Sequence, residues 1–168
     1  MSSTSDGPVS TLRPMTALEY ADWVERSTTG YAADKVASGQ WTPEESLELS
    51  RKEVAELLPL GLETPGNYLF TVVDSRADPV GVLWFAVKKK FGADIAYVFD
   101  VGIHPERQRE GHAARAFLAL EDEVRRLGLS GIALHVFGHN DAARALYARL
   151  GFRPTNISLF KPIEPTRA

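Results

Sequence analysis

Val101-Gly102-Ile103-His104-Pro105-Glu106-Arg107-Gln108-Arg109-Glu110-Gly111-His112-Ala113-Ala114 is the stretch that decides how this chain folds. Upstream of it, apolar residues fall at Ile95, Tyr97, Phe99, Val101 and Ile103, the two-residue period of a strand with one face inward. Pro105 ends the strand, because proline has no N–H to give to a ladder. From about Gly111 the period becomes helical, with Ala114, Phe117, Leu118, Glu121 and Val124 in step. The small residues between strand and helix let the backbone come close to a bound group. The open N–H groups of the helix's first turn, at the positive end of its dipole, then face an anion.

Working outward, Thr11–Thr16 reads as a short strand stopped by Pro14. Thr16 caps a helix, with Glu19 as its capping-box partner. Thr28–Gln40 continues that helix or forms a loop. Thr42-Pro43-Glu44-Glu45 starts a second helix, which runs to Pro59. Tyr68–Val73 and Val80–Val87 are strands that pair with the Ile95–Ile103 strand as an antiparallel meander. Lys88-Lys89-Lys90 reads as a solvated strand tip. The central helix stops at Leu127-Gly128. Ile132–Phe137 is a strand, Asn140–Leu150 a helix, and Leu159-Phe160 a last strand. A helical connection between the strands ending at Ile103 and Phe137 makes that pair parallel.

The composition is that of an ordinary soluble domain: 168 residues, 44% hydrophobic, 24% charged, net charge −3. Residues 1–10 read as a disordered lead-in without the apolar core of a secretory signal, and 11–168 as one domain. No basic block tracks a nucleic acid, and no apolar run reaches the ~18 residues of a membrane helix. The expected address is the cytoplasm. The chain has no cysteine, which removes a thiol nucleophile and a Cys-ligated zinc. No spacing suggests any other metal site.

Gln108-x-x-Gly111-x-Ala113 resembles the Q/R-x-x-G-x-G/A signature of the GCN5-related N-acetyltransferases (GNAT superfamily). Asn140-x-x-Ala143-x-x-Leu146-Tyr147-x-x-Leu150-Gly151-Phe152 resembles the family's second major motif at every fixed position. The resemblance covers roughly residues 11 to 161 and implies an α/β fold. Its mixed central sheet would have about six to seven strands, flanked by helices, with a splayed central strand pair. It also implies transfer of an acetyl group from acetyl-CoA to a primary amine of a small molecule or a protein N-terminus. That transfer would go by direct attack and without a metal. A non-catalytic acyl-CoA sensor or interaction module stands as the alternative, and a homodimer is left open.

By the same resemblance, Gln108, Arg109, Glu110, Gly111, His112, Ala113 and Ala114 form the pyrophosphate loop. Val101, Gly102 and Ile103 offer a strand edge to the pantetheine arm, with Gly102 suited to a bulge. Asn140 caps its helix and bonds the cofactor. Tyr147 is the general acid for the departing thiolate. Family members place a basic glutamate at the position of Tyr97 or of His135, so the base is open between His135 and Asp100. Strand alternation sets Asp100 on the face opposite Tyr97, and His135 on a face with Ala133 and Phe137. His104, His112 and His139 read as surface residues in turns. Tyr31, Trp41, Trp84 and Phe85 are candidates to line the acceptor opening.

Overall fold

The computed structural model describes residues 9–166. β1 is Ser10–Pro14. α1 (Ala17–Ala37) starts at Thr16 with a complete capping box to Glu19 and runs straight through the polar Thr28–Gln40 region to Ala37. α2 (Pro43–Leu57) begins at Thr42, again with a capping box and with proline at the start. The two helices pack through small side chains. Ser50 is fully buried, and its hydroxyl donates to the Thr28 carbonyl at 2.7 Å. No helix among the described residues is long and apolar enough to cross a membrane.

β2 (Asn67–Asp74), β3 (Pro79–Lys90) and β4 (Ala93–Ile103) follow as the expected meander. α3 (His112–Arg126) then carries the chain to β5 (Ile132–Leu134), and α4 (Asp141–Arg149) follows. The sheet order is β1-β2-β3-β4-β5, antiparallel except for the parallel β4–β5 pair. α1 and α2 lie over one face, where Met15, Trp23, Leu58, Leu69 and Trp84 pack. α3 and α4 lie over the other, against Phe70, Val72, Leu83, Phe85 and Val98, with Phe117 and Leu120 from α3 itself. Leu118, placed on the helix's apolar stripe from the sequence, is exposed; Ala116, Phe117, Leu120 and Val124 make the buried stripe instead.

Three expectations change. The sheet has five strands among the described residues, not six to seven. The strand expected at Leu159-Phe160 does not form; the described chain after Phe152 runs without regular structure. Ser10 belongs to β1 and is buried, so the N-terminal lead-in is shorter than 1–10. Val9 is exposed and precedes β1, and the remainder of that expected lead-in, residues 1–8, lies outside the described residues.

Candidate active site

The site begins with an irregularity in β4. Trp84 of β3 faces Asp100, but the next residue, Phe85, faces Val98, so Phe99 is an extra residue in the ladder. One inserted residue reverses the faces of everything after it. Ala96 and Val98 point to the α3 side, and beyond the bulge so does Val101. Asp100 therefore comes to the α1 side together with Tyr97, against the alternation expected from the sequence. The Trp23 indole N–H donates to its Oδ2 at 2.7 Å. The bulge is at Phe99 and not at Gly102; the displaced Phe99 ring is accommodated by stacking on Trp84, 4.5 Å between centroids.

The bulge also opens the sheet. β4 and β5 pair only over Ala96–Val98 and Ile132–Leu134, and past Val98 the two strands part. The His104 N–H donates to the Val80 carbonyl at 2.8 Å. Antiparallel alternation then turns the peptide groups of Gly102 toward β3 and those of Val101 and Ile103 into the gap. The Gln108 side-chain amide reaches across to donate to the Ile103 carbonyl at 3.1 Å. Gln108 thus ties the loop to the strand end.

At the far end of the gap is the N-terminus of α3. Arg109 (φ 64°) and Gly111 (φ 81°) are both left-handed, which coils the loop so that successive N–H groups converge. None of the backbone N–H groups from Arg109 to Ala114 has an acceptor among the described residues; the helical ladder starts with the Arg115 N–H on the Gly111 carbonyl at 3.2 Å. A Cβ at Gly111 would lie 2.7 Å from the Arg115 guanidinium, the movable end of a flexible side chain, so glycine is needed here for its left-handed conformation rather than for space.

His112 is not a surface residue. It is the first residue of α3 and is buried beneath β1, with Nδ1 2.8 Å from Ser10 Oγ and Nε2 2.8 Å from Glu110 Oε2. Arg107 clamps Glu110 (3.1 Å) and Asp74 (2.9 Å) from the other side. The bond from His112, and then that from Arg107, holds the Glu110 carboxyl below its usual pKa. The one acidic side chain of the loop is thereby occupied on the side-chain network and drawn off the free N–H groups.

A cavity of about 680 Å³ runs from the gap to the α1 side, lined among others by Trp23, Tyr31, Trp84, Tyr97, Asp100 and Tyr147. Asp34 and Glu53 add carboxylates to its wall, and Arg26 and Lys35 add cations. Burial pushes the Asp100 carboxyl above its usual pKa. The Trp23 bond and the Arg26 charge work against that shift, and Asp34 works with it. Tyr147 is half-buried, with its ring edge-on to Phe117 and Phe152, each 5.6 Å away between centroids. Burial, and then the charge of Asp100, raises its pKa as well.

The remaining candidates divide. Asn140 caps α4, its Oδ1 accepting the Ala143 N–H at 3.2 Å, and it lines the cavity. His135 lies past the end of β5, which stops at Leu134, so the face assigned to it by alternation does not apply; it is exposed at the cavity wall, edge-on to Phe137 at 5.2 Å. His104, read as a surface residue, lines the cavity, while His139 is exposed. Tyr31 and Trp84 line the opening; Trp41 instead backs Tyr31 edge-on at 5.6 Å. Phe85 is fully buried in the opposite core. Lys88 is more than a solvated tip, because its ammonium sits over the Phe99 and Tyr97 rings at 4.7 and 5.1 Å. Trp23 and Asp34 were not singled out as site residues from the sequence. Only the fold brings them to Asp100, and no local pattern marks them.

A model of the GNAT acetyltransferase family matches residues 31–152. The N-acetyltransferase YycN of Bacillus subtilis, itself uncharacterised, is 35% identical over 90% of this chain and 97% of its own. The uncharacterised N-acetyltransferase YdgE of the same organism is 29% identical over 91% of this chain and 98% of its own. The crystal structure of YycN superposes with a TM-score of 0.89 at 34% identity, covering 94% of this chain and all of that one. The chain belongs to the GNAT acetyltransferase family and is an acyltransferase.

Proposed function

We propose that this enzyme transfers an acetyl group from acetyl-CoA to a primary amine by direct attack. The observation that carries the reading is the run of unclaimed N–H groups from Arg109 to Ala114, set at one end of a gap whose other end holds Asp100 and Tyr147. Such a run suits a pyrophosphate. The peptide groups of Val101 and Ile103 suit the amides of a pantetheine arm, which would add to β4 as a strand does. Asn140, which lines the cavity, would give a further bond to that arm. The thioester would then lie in the widened part of the gap, beside Tyr147.

In this reading the amine nitrogen attacks the thioester carbonyl, the C–S bond breaks, and the Tyr147 hydroxyl gives its proton to the departing sulfur. Asp100 is the stronger candidate for accepting the proton that the amine loses. It is fixed by Trp23, and burial leaves its carboxylate more basic than one in water. His135, exposed at the wall, is the alternative, acting through water. The carboxylates of Asp34, Glu53 and Asp100 among the rings of Trp23, Tyr31, Trp84 and Tyr97 favour an ammonium that carries an apolar portion. That acceptor is a small amine or a protein N-terminus. The enzyme works in the cytoplasm, where acetyl-CoA is made.

The test is free-thiol release from acetyl-CoA across a panel of primary amines, run beside calorimetric titration with CoA. Amine-dependent release is expected. Binding with no release for any amine class would favour an acyl-CoA sensor, and absence of binding would remove the placement of the donor. Ala113→Glu sets a carboxylate among the free N–H groups without straining Gly111, and should weaken CoA binding at least about tenfold through like-charge repulsion.

A further inference from the structure

Arg115 stands in the first turn of α3, yet its side chain reaches back to the loop before it. Nη2 donates to the Glu110 carbonyl at 2.9 Å. That carbonyl shares a planar trans peptide with the Gly111 N–H, and the two point in opposite directions. Holding the oxygen on the Arg115 side therefore turns the Gly111 N–H to the other side, where it has no acceptor among the described residues. The same oxygen is the one that the Ala114 N–H would take if α3 began a residue earlier. With the guanidinium on it, the ladder starts at the Arg115 N–H instead, and the Ala114 N–H stays free. Two members of the open run thus depend on one side chain.

Arg115 is held in turn from behind. Its Nε donates to Ser10 Oγ at 3.0 Å, and its Nη2 lies 3.2 Å from His112 Nδ1. A guanidinium only donates, so Nδ1 accepts. Ser10 Oγ already receives Arg115, which leaves its own hydrogen for Nδ1, at 2.8 Å. Across the ring, Nε2 is 2.8 Å from Glu110 Oε2, with Arg107 Nη2 farther off at 3.5 Å. A carboxylate only accepts, so the ring hydrogen is on Nε2. His112 is therefore the Nε2–H tautomer, with Nδ1 open to Arg115. Ser10, His112 and Glu110 stand in the order of a hydrolytic triad, but Ser10 is buried. The cavity of about 400 Å³ beside them is walled by Glu110, His112 and Arg115 among others, and not by Ser10. The hydroxyl is a link and not a nucleophile.

We infer that Arg115 and His112 are positioning residues for the acetyl donor. Arg115 sets the peptides that receive the pyrophosphate, and His112, through Nδ1, sets Arg115. The inference rests on the reading of Arg109–Ala114 as the donor loop. Neither side chain needs to touch the donor: His112 is buried, and the guanidinium is taken up by Ser10, Glu110 and His112. Through Ser10, β1 becomes part of the frame of the donor site.

Calorimetric titration with CoA compares the wild type with Arg115→Lys, His112→Phe and the double variant. Lysine keeps the charge but not the planar fork, so it cannot serve Ser10, the Glu110 carbonyl and His112 together. Phenylalanine keeps a buried ring without either nitrogen. Each single variant should weaken CoA binding about tenfold. The double variant should be little worse than the weaker single, because His112 acts through Arg115. In turnover assays the Arg115→Lys loss should fall on the donor KM, with kcat at saturating acetyl-CoA little changed. A long-range proton–nitrogen correlation spectrum of the wild type should show His112 with hydrogen on Nε2 and a bare Nδ1. Circular dichroism checks folding; where His112→Phe does not fold, Arg115→Lys and the wild-type ring decide. Wild-type affinity in folded Arg115→Lys overturns the inference, as do losses that add in full or a ring with its hydrogen on Nδ1. A wild type that binds no CoA overturns the reading of the loop, and this inference with it.

Discussion

Asp100 and Tyr147 are two acids whose pKa values the same cavity raises. Burial raises both, and ionised Asp100 raises Tyr147 further. For Asp100 the sign is definite. The folded protein holds its proton to a higher pH than the unfolded chain, so ionisation costs stability as pH rises from the ordinary carboxyl value through the folded one. The same ionisation generates the proposed base. The rate should therefore rise with pH over that range while stability falls. Asp100→Asn should flatten both trends, as read by a pH–rate profile and by urea melts at matched pH. An unchanged acidic limb in this variant would hand the role to His135. Tyr147→Phe keeps the ring packed on Phe117 and Phe152 and deletes only the hydroxyl. It should lower kcat about 10²-fold with CoA affinity little changed; wild-type turnover would make Tyr147 a packing residue. Both residues were named from the sequence, Tyr147 in its motif and Asp100 as a candidate base. The face of Asp100 was not legible there, because alternation assumes an unbroken ladder and Phe99 breaks it. His112 was misread for a related reason. A polar residue at a helix start looks solvated until Ser10, far away in the chain, is folded over it.

Among the elements, α1 was the most legible at its start and the least at its end. Thr16 and Glu19 announced the cap, and both halves of the box form: the Thr16 N–H donates to Glu19 Oε2 at 2.9 Å, and the Glu19 N–H donates to Thr16 Oγ1 at 3.3 Å. Local pattern could not show that the same carboxylate also receives Arg13 from β1, at 2.7 and 3.1 Å, and the Thr71 hydroxyl from β2, at 2.9 Å. One side chain thus joins a helix start to two strands. The Arg13 bond leads in lowering the Glu19 pKa from 4.5 to about 2. A depressed carboxyl stabilises the fold above its unfolded pKa, and the contribution is lost as pH falls from the mid-fours toward 2. Arg13 is partly in water, which screens the pair, so Glu19→Gln should cost on the order of 1–2 kcal/mol at neutral pH. Chemical melts should show the gap between wild type and variant closing as pH falls through that window. A constant gap would place the loss in the capping box alone. The end of α1 was obscured because Gly30 and a polar run weaken helical propensity, and packing on α2 through Thr28, Ala32 and Ser50 overrides it.

At the scale of the molecule, the sheet is held as one piece through β4 and then comes apart. β3 and β4 pair along nearly their whole length, while β4 and β5 share only three positions. The order of elements could be read from the sequence, and the family resemblance implied this parting. Its cause could not be read, since the extra residue at Phe99 belongs to no motif. A donor that fills the gap would touch β4 through Val101 and Ile103, α3 through its first turn, and α4 through Asn140, and would add a bridge between elements that otherwise meet through the core and the short β4–β5 pairing. Binding only to the folded state adds about 2.7 kcal/mol of stability at a hundredfold excess over Kd, which for a chain of this size is a rise in Tm of about 5–10 °C. CoA should produce that rise, and Ala113→Glu, through a tenfold or greater loss of affinity, should remove about half of it or more. ADP, which can occupy only the loop, and pantetheine, which can occupy only the strand edge, should each fall well short of CoA at equal concentration, because the covalent link makes the second contact intramolecular. A shift from ADP equal to that from CoA would mean that the gap between β4 and β5 takes no part in binding. In that case the parting of the strands would need a cause other than the donor.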